Sequence, residues 1–96
     1  MIKHIVCFKL KDSSDERKNE AKDILLSMKG KVPQILSIEV GTDFLGSARS
    51  YDVILQVTLT DRAALDAYQA DEYHCGVVKA YMHEHASASI ALDYDL

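Results

Sequence analysis

The alternation of apolar and polar side chains between residues 51 and 59 constrains the fold more than any other feature of the sequence. Apolar residues occupy every second position there: Tyr51, Val53, Leu55, Val57 and Leu59. Because the side chains of a β-strand alternate between the two faces of a sheet, this pattern predicts a strand with one buried face. Other strands must therefore pair with it.

Three further segments have the pattern expected of strands. Residues 1–10 place four apolar residues and one histidine on the same face: Ile2, His4, Val6, Phe8 and Leu10. Residues 35–40 have one apolar face with Leu36, Ile38 and Val40. Residues 86–94 have an apolar face with Ala88, Ile90, Leu92 and Tyr94. The sequence therefore predicts four strands.

A helix is predicted over residues 13–29, between the first two strands. Ser13 and Glu16 match a capping box, in which each side chain bonds to the other residue's backbone N–H. One apolar stripe at helical spacing follows: Ala21, Ile24, Leu25 and Met28. Gly30 and Pro33 are suited to end this helix.

A second helix is predicted after the third strand. Thr60-Asp61 supplies an N-cap, and apolar residues follow at helical spacing. We expect a break near Asp71-Glu72, after which the helix resumes through Val77, Val78 and Tyr81. The element order is then β-α-β-β-α-β, which is typical of an α+β, ferredoxin-like fold with a four-stranded antiparallel sheet and both helices on one side.

Two helices cover only one face of such a sheet. The other face has a mixed composition that is too apolar for a fully solvated surface: Ile5, Cys7, Ile54, Gln56 and Thr58. This composition predicts that the face packs against a second copy of the chain, which gives a homodimer and a closed α+β barrel.

Composition limits the remaining possibilities. The 96-residue chain fits one domain, residues 1–96, and its 11 basic and 15 acidic side chains give a net charge of −4. We therefore predict no nucleic acid and no membrane as partners. We expect neither a signal peptide nor a membrane span. Two cysteines are too few for a stapled secreted scaffold, which predicts a cytoplasmic location.

Several short motifs follow one another along the chain: Ile2-Lys3-His4-Ile5-Val6 with Phe8-Lys9, Tyr51-Asp52-Val53, Leu65-Asp66-Ala67-Tyr68 through His74, and Asp93-Tyr94. In their order and spacing they resemble the stress-responsive A/B barrel family, also called the Dabb domain. The resemblance covers essentially the whole chain. It implies a small homodimeric ferredoxin-like barrel, and most members of the family have no assigned function.

One plant member of this family is a polyketide cyclase that closes a linear polyketide by aldol chemistry without a cofactor. Its acid/base residues are a histidine on the first strand, with a tyrosine and a histidine six residues apart around the second helix. The resemblance places these roles on His4, Tyr68 and His74, and it implies no cofactor.

The chain departs from the family pattern around the second helix. Where the family often has Tyr-x-x-His-Pro-x-His, Asp71 replaces the first histidine and Glu72 replaces the proline. Val53 stands where the cyclase has a further histidine on the third strand. Because the surrounding polar residues differ, the substrate of the cyclase is not transferred to this chain.

Each candidate residue also has a purely structural interpretation. His4 is either a core histidine that is bonded to a carbonyl or a tyrosine, or a pocket residue that orients a substrate. Tyr68 and His74 would diverge by about 120° on a continuous helix, so only the break lets both face one cavity. Otherwise Tyr68 is a core aromatic residue and His74 begins a helix.

Other motifs favour no additional chemistry. Cys75 points about 100° away from His74 on a helix, so a packing role is favoured over a nucleophile–base pair. His83 and His85 would share a face only on a strand, and without a third ligand we predict a solvated loop and no metal. The chain lacks a glycine-rich phosphate loop, a Cys-x-x-Cys pair and a Gly-x-Ser-x-Gly elbow.

Two functional hypotheses remain. In the first, the protein is a cofactor-independent enzyme that transfers protons on a small, apolar carbonyl or phenolic substrate, as in cyclisation or isomerisation. His74 is then the general base, Tyr68 a donor to the carbonyl and His4 an orienting group. In the second, it is a non-catalytic barrel that binds a small molecule or serves in a stress response. A cofactor-free oxygenase is least favoured, because such barrels tend to use Trp or Asn and this chain has only Asn19.

Overall fold

Four strands and two helical regions form in the predicted order. The computed structural model describes all 96 residues. Its elements are β1 (Ile2–Leu10), α1 (Asp15–Leu26), β2 (Ser37–Thr42), β3 (Val53–Leu59), α2 (Arg62–Ala70), a π-helix (His74–Lys79), α3 (Ala80–His85) and β4 (Ala86–Asp95). The sheet is antiparallel with the strand order β2-β3-β1-β4, which confirms the ferredoxin-like prediction. None of the helices has the length and apolarity that a membrane crossing requires.

The strand register decides which residues lie beneath the helices. His4 pairs with Val57 and Val6 pairs with Leu55, so the apolar face of β3 and one face of β1 share the helical side. As predicted, the alternate apolar residues of β3 are buried: Val53, Leu55, Val57 and Leu59. Val6 and Phe8 on the same side are only half-buried, because an open space lies between them and the helices.

The opposite face of the sheet carries no helix. Ile5, Cys7 and Ile54 are half-buried there. β4 adds three large exposed side chains by the same register: Ile90, Leu92 and Tyr94. The mixed, partly apolar composition predicted for this face is confirmed.

The predicted capping box at the start of α1 is wrong by one residue. Ser14 is the N-cap, and its side chain accepts a hydrogen bond from the backbone N–H of Arg17 at 3.2 Å. Glu16 therefore falls one position short of the place from which a capping box is closed. The apolar stripe is confirmed, with Ala21 and Leu25 fully buried.

The far end of α1 also comes earlier than predicted. The helix ends at Leu26 and not at residue 29, because Ser27 takes the C-cap position and its hydroxyl donates to the Ile24 carbonyl. Gly30 lies in the following turn with φ +80°, a conformation that favours glycine.

A buried carboxylate connects β1 to the start of β3. Asp52 accepts a hydrogen bond from the backbone N–H of Leu10 at 2.7 Å, and its own N–H donates to the Phe8 carbonyl. Asp52→Ala leaves the Leu10 N–H unpaired, so we expect the free energy of unfolding to fall by about 1–3 kcal/mol. Asp52→Asn keeps an acceptor oxygen and should lose less of the free energy of unfolding. Urea titrations of the two variants and of wild type measure both losses. Equal stability of the two variants would contradict this role.

Candidate functional site

The second helical region breaks where the sequence predicts it. α2 ends at Ala70, and Asp71 is extended, with ψ 135°. The Asp71 carboxylate accepts hydrogen bonds from the backbone N–H groups of Tyr73 at 2.9 Å and His74 at 3.1 Å. Asp71 therefore caps the helical segment that follows. Its carboxylate is thus bonded to the backbone, and Asp71 is not among the residues that line the cavity described below.

The segment after the break is a π-helix, His74–Lys79, that continues into α3. π-Helical segments are rare in proteins, and those that do occur are often found at functional sites. His74 and Val78 are its buried residues. No pattern in the sequence distinguishes this π-helix from an α-helix, so sequence reasoning missed it.

The break brings the three candidate residues together in the interior. The Tyr68 ring lies beside the His74 ring, with centroids 4.4 Å apart and planes inclined by 30°. The His4 ring also contacts Tyr68, edge-on, at 5.5 Å and 65°. Tyr68 is fully buried, and the two imidazoles are only 5% and 7% exposed. Tyr68 thus contacts two histidines from different parts of the fold.

His4 is held by a carboxylate that sequence reasoning did not assign to the site. Its Nδ1 is hydrogen-bonded to Asp93 Oδ1, and the two residues are directly opposite each other on β1 and β4. A carboxylate accepts and does not donate, so this contact places a proton on Nδ1. Nε2 is then the ring nitrogen of His4 that this contact leaves free. The sequence shows that Asp93 lies on the last strand. That it faces His4 becomes clear only from the pairing register of β1 and β4.

The environment of His74 differs from that of His4. Nδ1 is buried without a hydrogen-bond partner, and the ring adjoins the cavity described below. Burial lowers the pKa of His74 below its usual value, and the charges of Lys79 and His4 lower it further, against the opposing effects of Asp71 and of a hydrogen bond to the Gln69 backbone. The imidazole is therefore neutral near pH 7 and can accept a proton.

This lowered pKa predicts a pH dependence of stability. In the pH range between the two pKa values of His74, the unfolded chain binds a proton that the folded chain does not, so stability falls as the pH falls below about 6.5. We expect wild type to lose more unfolding free energy than His74→Gln between pH 7.5 and pH 5.0 in urea titrations. Parallel losses in the two proteins would contradict the shift.

The phenol of Tyr68 is a neutral hydrogen-bond donor. Burial raises its pKa well above the usual value. Its hydroxyl contacts the Met28 sulfur at 3.7 Å, and a thioether is a weak acceptor. The donor capacity of this buried hydroxyl is therefore only weakly used.

A cavity of about 700 Å³ adjoins all three residues. Ten of its sixteen lining residues are apolar, contributed by β1, α1, β3, β4 and the helical region after β3. The six polar ones are His4, His74, Lys79, His83, Ser87 and Ser89. Its volume lies within the range of about 300–1,000 Å³ that is typical of small-molecule sites.

The histidine pair near the end of the helical region does not lie in a loop as predicted. α3 extends to His85, and β4 begins at the next residue. Residues two apart on a helix point about 200° apart, so the two side chains diverge. His83 lines the cavity, whereas His85 packs against Tyr81 with ring centroids 4.3 Å apart.

The packing role predicted for Cys75 is also wrong, because this residue is exposed. Its thiol contacts the Gln69 carbonyl at 3.2 Å, which leaves His74 without a nucleophile beside it. Cys7 is half-buried on the helix-free face of the sheet, and both thiols are free.

Several solved structures share this fold. A dimeric ferredoxin-like protein of unknown function from Bacteroides fragilis has a TM-score of 0.81 at 22% identity, covering 99% of this chain and 95% of that one. A protein from Arabidopsis thaliana has a TM-score of 0.85 at 18% identity, covering 100% and 95%. An antibiotic biosynthesis monooxygenase has a TM-score of 0.75 at 20% identity, covering 100% and 98%. At these identities the likeness shows the fold alone.

Family membership is determined by the sequence. No curated protein matches the chain significantly. The family described as Stress Responsive A/B Barrel Domain, or Dabb, matches residues 2–96. Together with the ferredoxin-like sheet, this match shows that the chain belongs to the stress-responsive A/B barrel family.

Proposed function

We propose that the protein is a cofactor-independent proton-transfer enzyme, of the cyclase or isomerase type, that acts on a small apolar carbonyl or phenolic substrate. One observation carries this proposal. Two buried imidazoles, His4 and His74, adjoin a largely apolar cavity of about 700 Å³. Histidine is the side chain best suited to proton transfer near neutral pH.

His74 is the general base in this mechanism. Its Nε2 takes a proton from the carbon next to the substrate carbonyl, and the C–H electrons form the double bond of an enolate. The negative charge moves to the carbonyl oxygen, where a neutral donor stabilises it. Return of the proton to another carbon completes an isomerisation. In an aldol cyclisation the enolate carbon attacks a second carbonyl, and the alkoxide that forms takes the proton back from His74.

In this mechanism Tyr68 and His4 orient the substrate and stabilise the charge that forms on it. Tyr68 packs against the imidazole of His74 and so fixes its plane. Its hydroxyl can exchange the weak Met28 contact for a carbonyl oxygen that becomes negatively charged. His4, held by Asp93 and in edge-on contact with Tyr68, orients the substrate.

We further propose that the protein is a cytoplasmic homodimer. The helix-free face of the sheet supports this assembly, since Ile90, Leu92 and Tyr94 are exposed on it beside half-buried apolar residues of β1 and β3. The structurally similar Bacteroides fragilis protein is dimeric. Burial of this face would also stabilise a domain of only 96 residues.

Deuterium exchange tests the chemistry without knowledge of the natural substrate. Small ketones with an aromatic or alkyl tail, such as 4-phenyl-2-butanone, are incubated with the protein in D₂O, and loss of the proton signals next to the carbonyl is followed by NMR. We expect exchange that depends on protein concentration and saturates with ketone. Saturable binding of these ketones without exchange would overturn the enzymatic proposal and favour the alternative, a non-catalytic binding protein.

A further inference from the structure

The charge of the cavity lining differs from that of the whole chain. Acidic residues outnumber basic ones by 15 to 11 in the sequence. The lining nevertheless contains no aspartate or glutamate, and Lys79 is its one lysine or arginine. A ligand in this cavity is therefore surrounded mainly by apolar side chains and by one permanently charged group, the Lys79 ammonium.

Lys79 has no counter-ion in the protein. Two arginines are paired with carboxylates, Arg17 with Glu20 and Arg62 with Asp95. Lys79 makes neither a salt bridge nor a side-chain hydrogen bond, and it is the last residue of the π-helix, at the exposed side of the cavity. Its ammonium group thus keeps its full capacity to bind an anion.

Two further polar side chains line the cavity together with Lys79. His83 lies four residues further along the helical region, so it occupies the same side as Lys79 and also lines the cavity. Ser89 lines it from β4, and its hydroxyl has no partner within the protein. Ser87 differs, because its hydroxyl donates to the Lys9 carbonyl. The exposed side of the cavity therefore combines one cation with unpaired polar groups.

Apolar side chains line the cavity from the sheet and from α1. Phe8 and Leu55 belong to the sheet, and Leu25 belongs to α1. A ligand with one charged end and one apolar end matches this polarity. Because Lys79 is the only fixed charge, a monoanion fits better than a dianion.

We propose that the ligand of this cavity is an apolar carboxylic acid, with its carboxylate bound by Lys79 between His83 and Ser89 and its apolar part directed towards Phe8 and Leu55. This inference rests on the proposed function, since it narrows the substrate of the same site to a carbonyl compound that bears a carboxylate. Lys79 serves as a binding and specificity residue.

A matched pair of ligands tests the inference. 4-Phenylbutanoate and 4-phenylbutanamide have the same shape and differ in charge, and their dissociation constants can be measured by backbone NMR titration at pH 7.5. We expect wild type to bind the carboxylate about tenfold more tightly than the amide. Lys79→Met should abolish this preference, and Lys79→Arg should retain it. Lys29→Met, an exposed lysine outside the cavity, is the matched control.

The ring resonances of His74 give a second readout. The charged groups that act on this imidazole are Lys79, His4 and Asp71. A carboxylate bound at Lys79 offsets the lysine charge, so the pKa of His74 should be higher in the butanoate complex than in the butanamide complex. In Lys79→Met this difference between the two complexes should become smaller.

The outcomes separate this inference from the proposed function. Equal affinity for the two ligands, with shifts at His74 and Val78, would leave the cavity as a ligand site and overturn the carboxylate assignment. A preference that survives Lys79→Met would overturn the role of the lysine. Binding of neither ligand overturns the carboxylate inference, and the exchange experiment with the neutral ketone then decides the proposed function separately.

Discussion

His74→Gln is expected to slow protein-catalysed exchange of ketone protons by about 100- to 10,000-fold, the usual contribution of a positioned general base. Glutamine keeps a similar polar volume but cannot take up a proton at neutral pH. The measurement is the NMR exchange rate at saturating ketone, with circular dichroism and thermal unfolding as tests of the fold.

A matched histidine substitution provides the control for this experiment. His85→Gln changes an imidazole that packs on Tyr81 and does not line the cavity. We expect its exchange rate to stay close to that of wild type. An undiminished rate in His74→Gln would contradict the assignment of the base and would direct attention to His4, the other imidazole of the site.

Tyr68→Ala is expected to have the largest effect on stability, a loss of about 3–5 kcal/mol in the free energy of unfolding. Tyr68 is the largest of the fully buried side chains and lies between two imidazoles. Truncation removes its apolar contacts and leaves a void beside the existing cavity. Urea denaturation, compared at the same pH and protein concentration, measures this loss.

Tyr68→Phe separates packing from hydrogen bonding at the same position. It keeps the ring and removes only the hydroxyl and its weak contact with Met28, so we expect it to cost less than about 1 kcal/mol. If the hydroxyl donates to the substrate oxygen, this variant is stable and yet slower in proton exchange. A large loss of stability in Tyr68→Phe would contradict our view that Tyr68 stabilises the fold through the packing of its ring.

Much of the site could be predicted because it depends on local signals. The spacing of Tyr68 and His74 requires a break between them, and Asp71 stands where a capping carboxylate can produce one. The placement of His4 on the helical side follows from strand alternation alone. Such features are properties of a few neighbouring residues.

The features that the sequence did not predict depend on contacts between distant residues or on local alternatives of similar stability. Asp93 becomes a partner of His4 only through the register of β1 and β4. Ser13 and Ser14 are both competent N-caps, and α1 uses the second. The His83 segment has no glycine or proline to end a helix, so α3 continues to His85 where we had expected a loop.

The hydrogen bond between His4 and Asp93 also has a consequence for the folding pathway. The two residues are 89 positions apart, and β1 is the strand that pairs with both β3 and β4. Contacts of such long sequence separation close large loops, which slows folding and delays their formation relative to local helices. The orientation of His4 is therefore completed among the last events of folding, and a partly folded chain that already contains its helices lacks the assembled site.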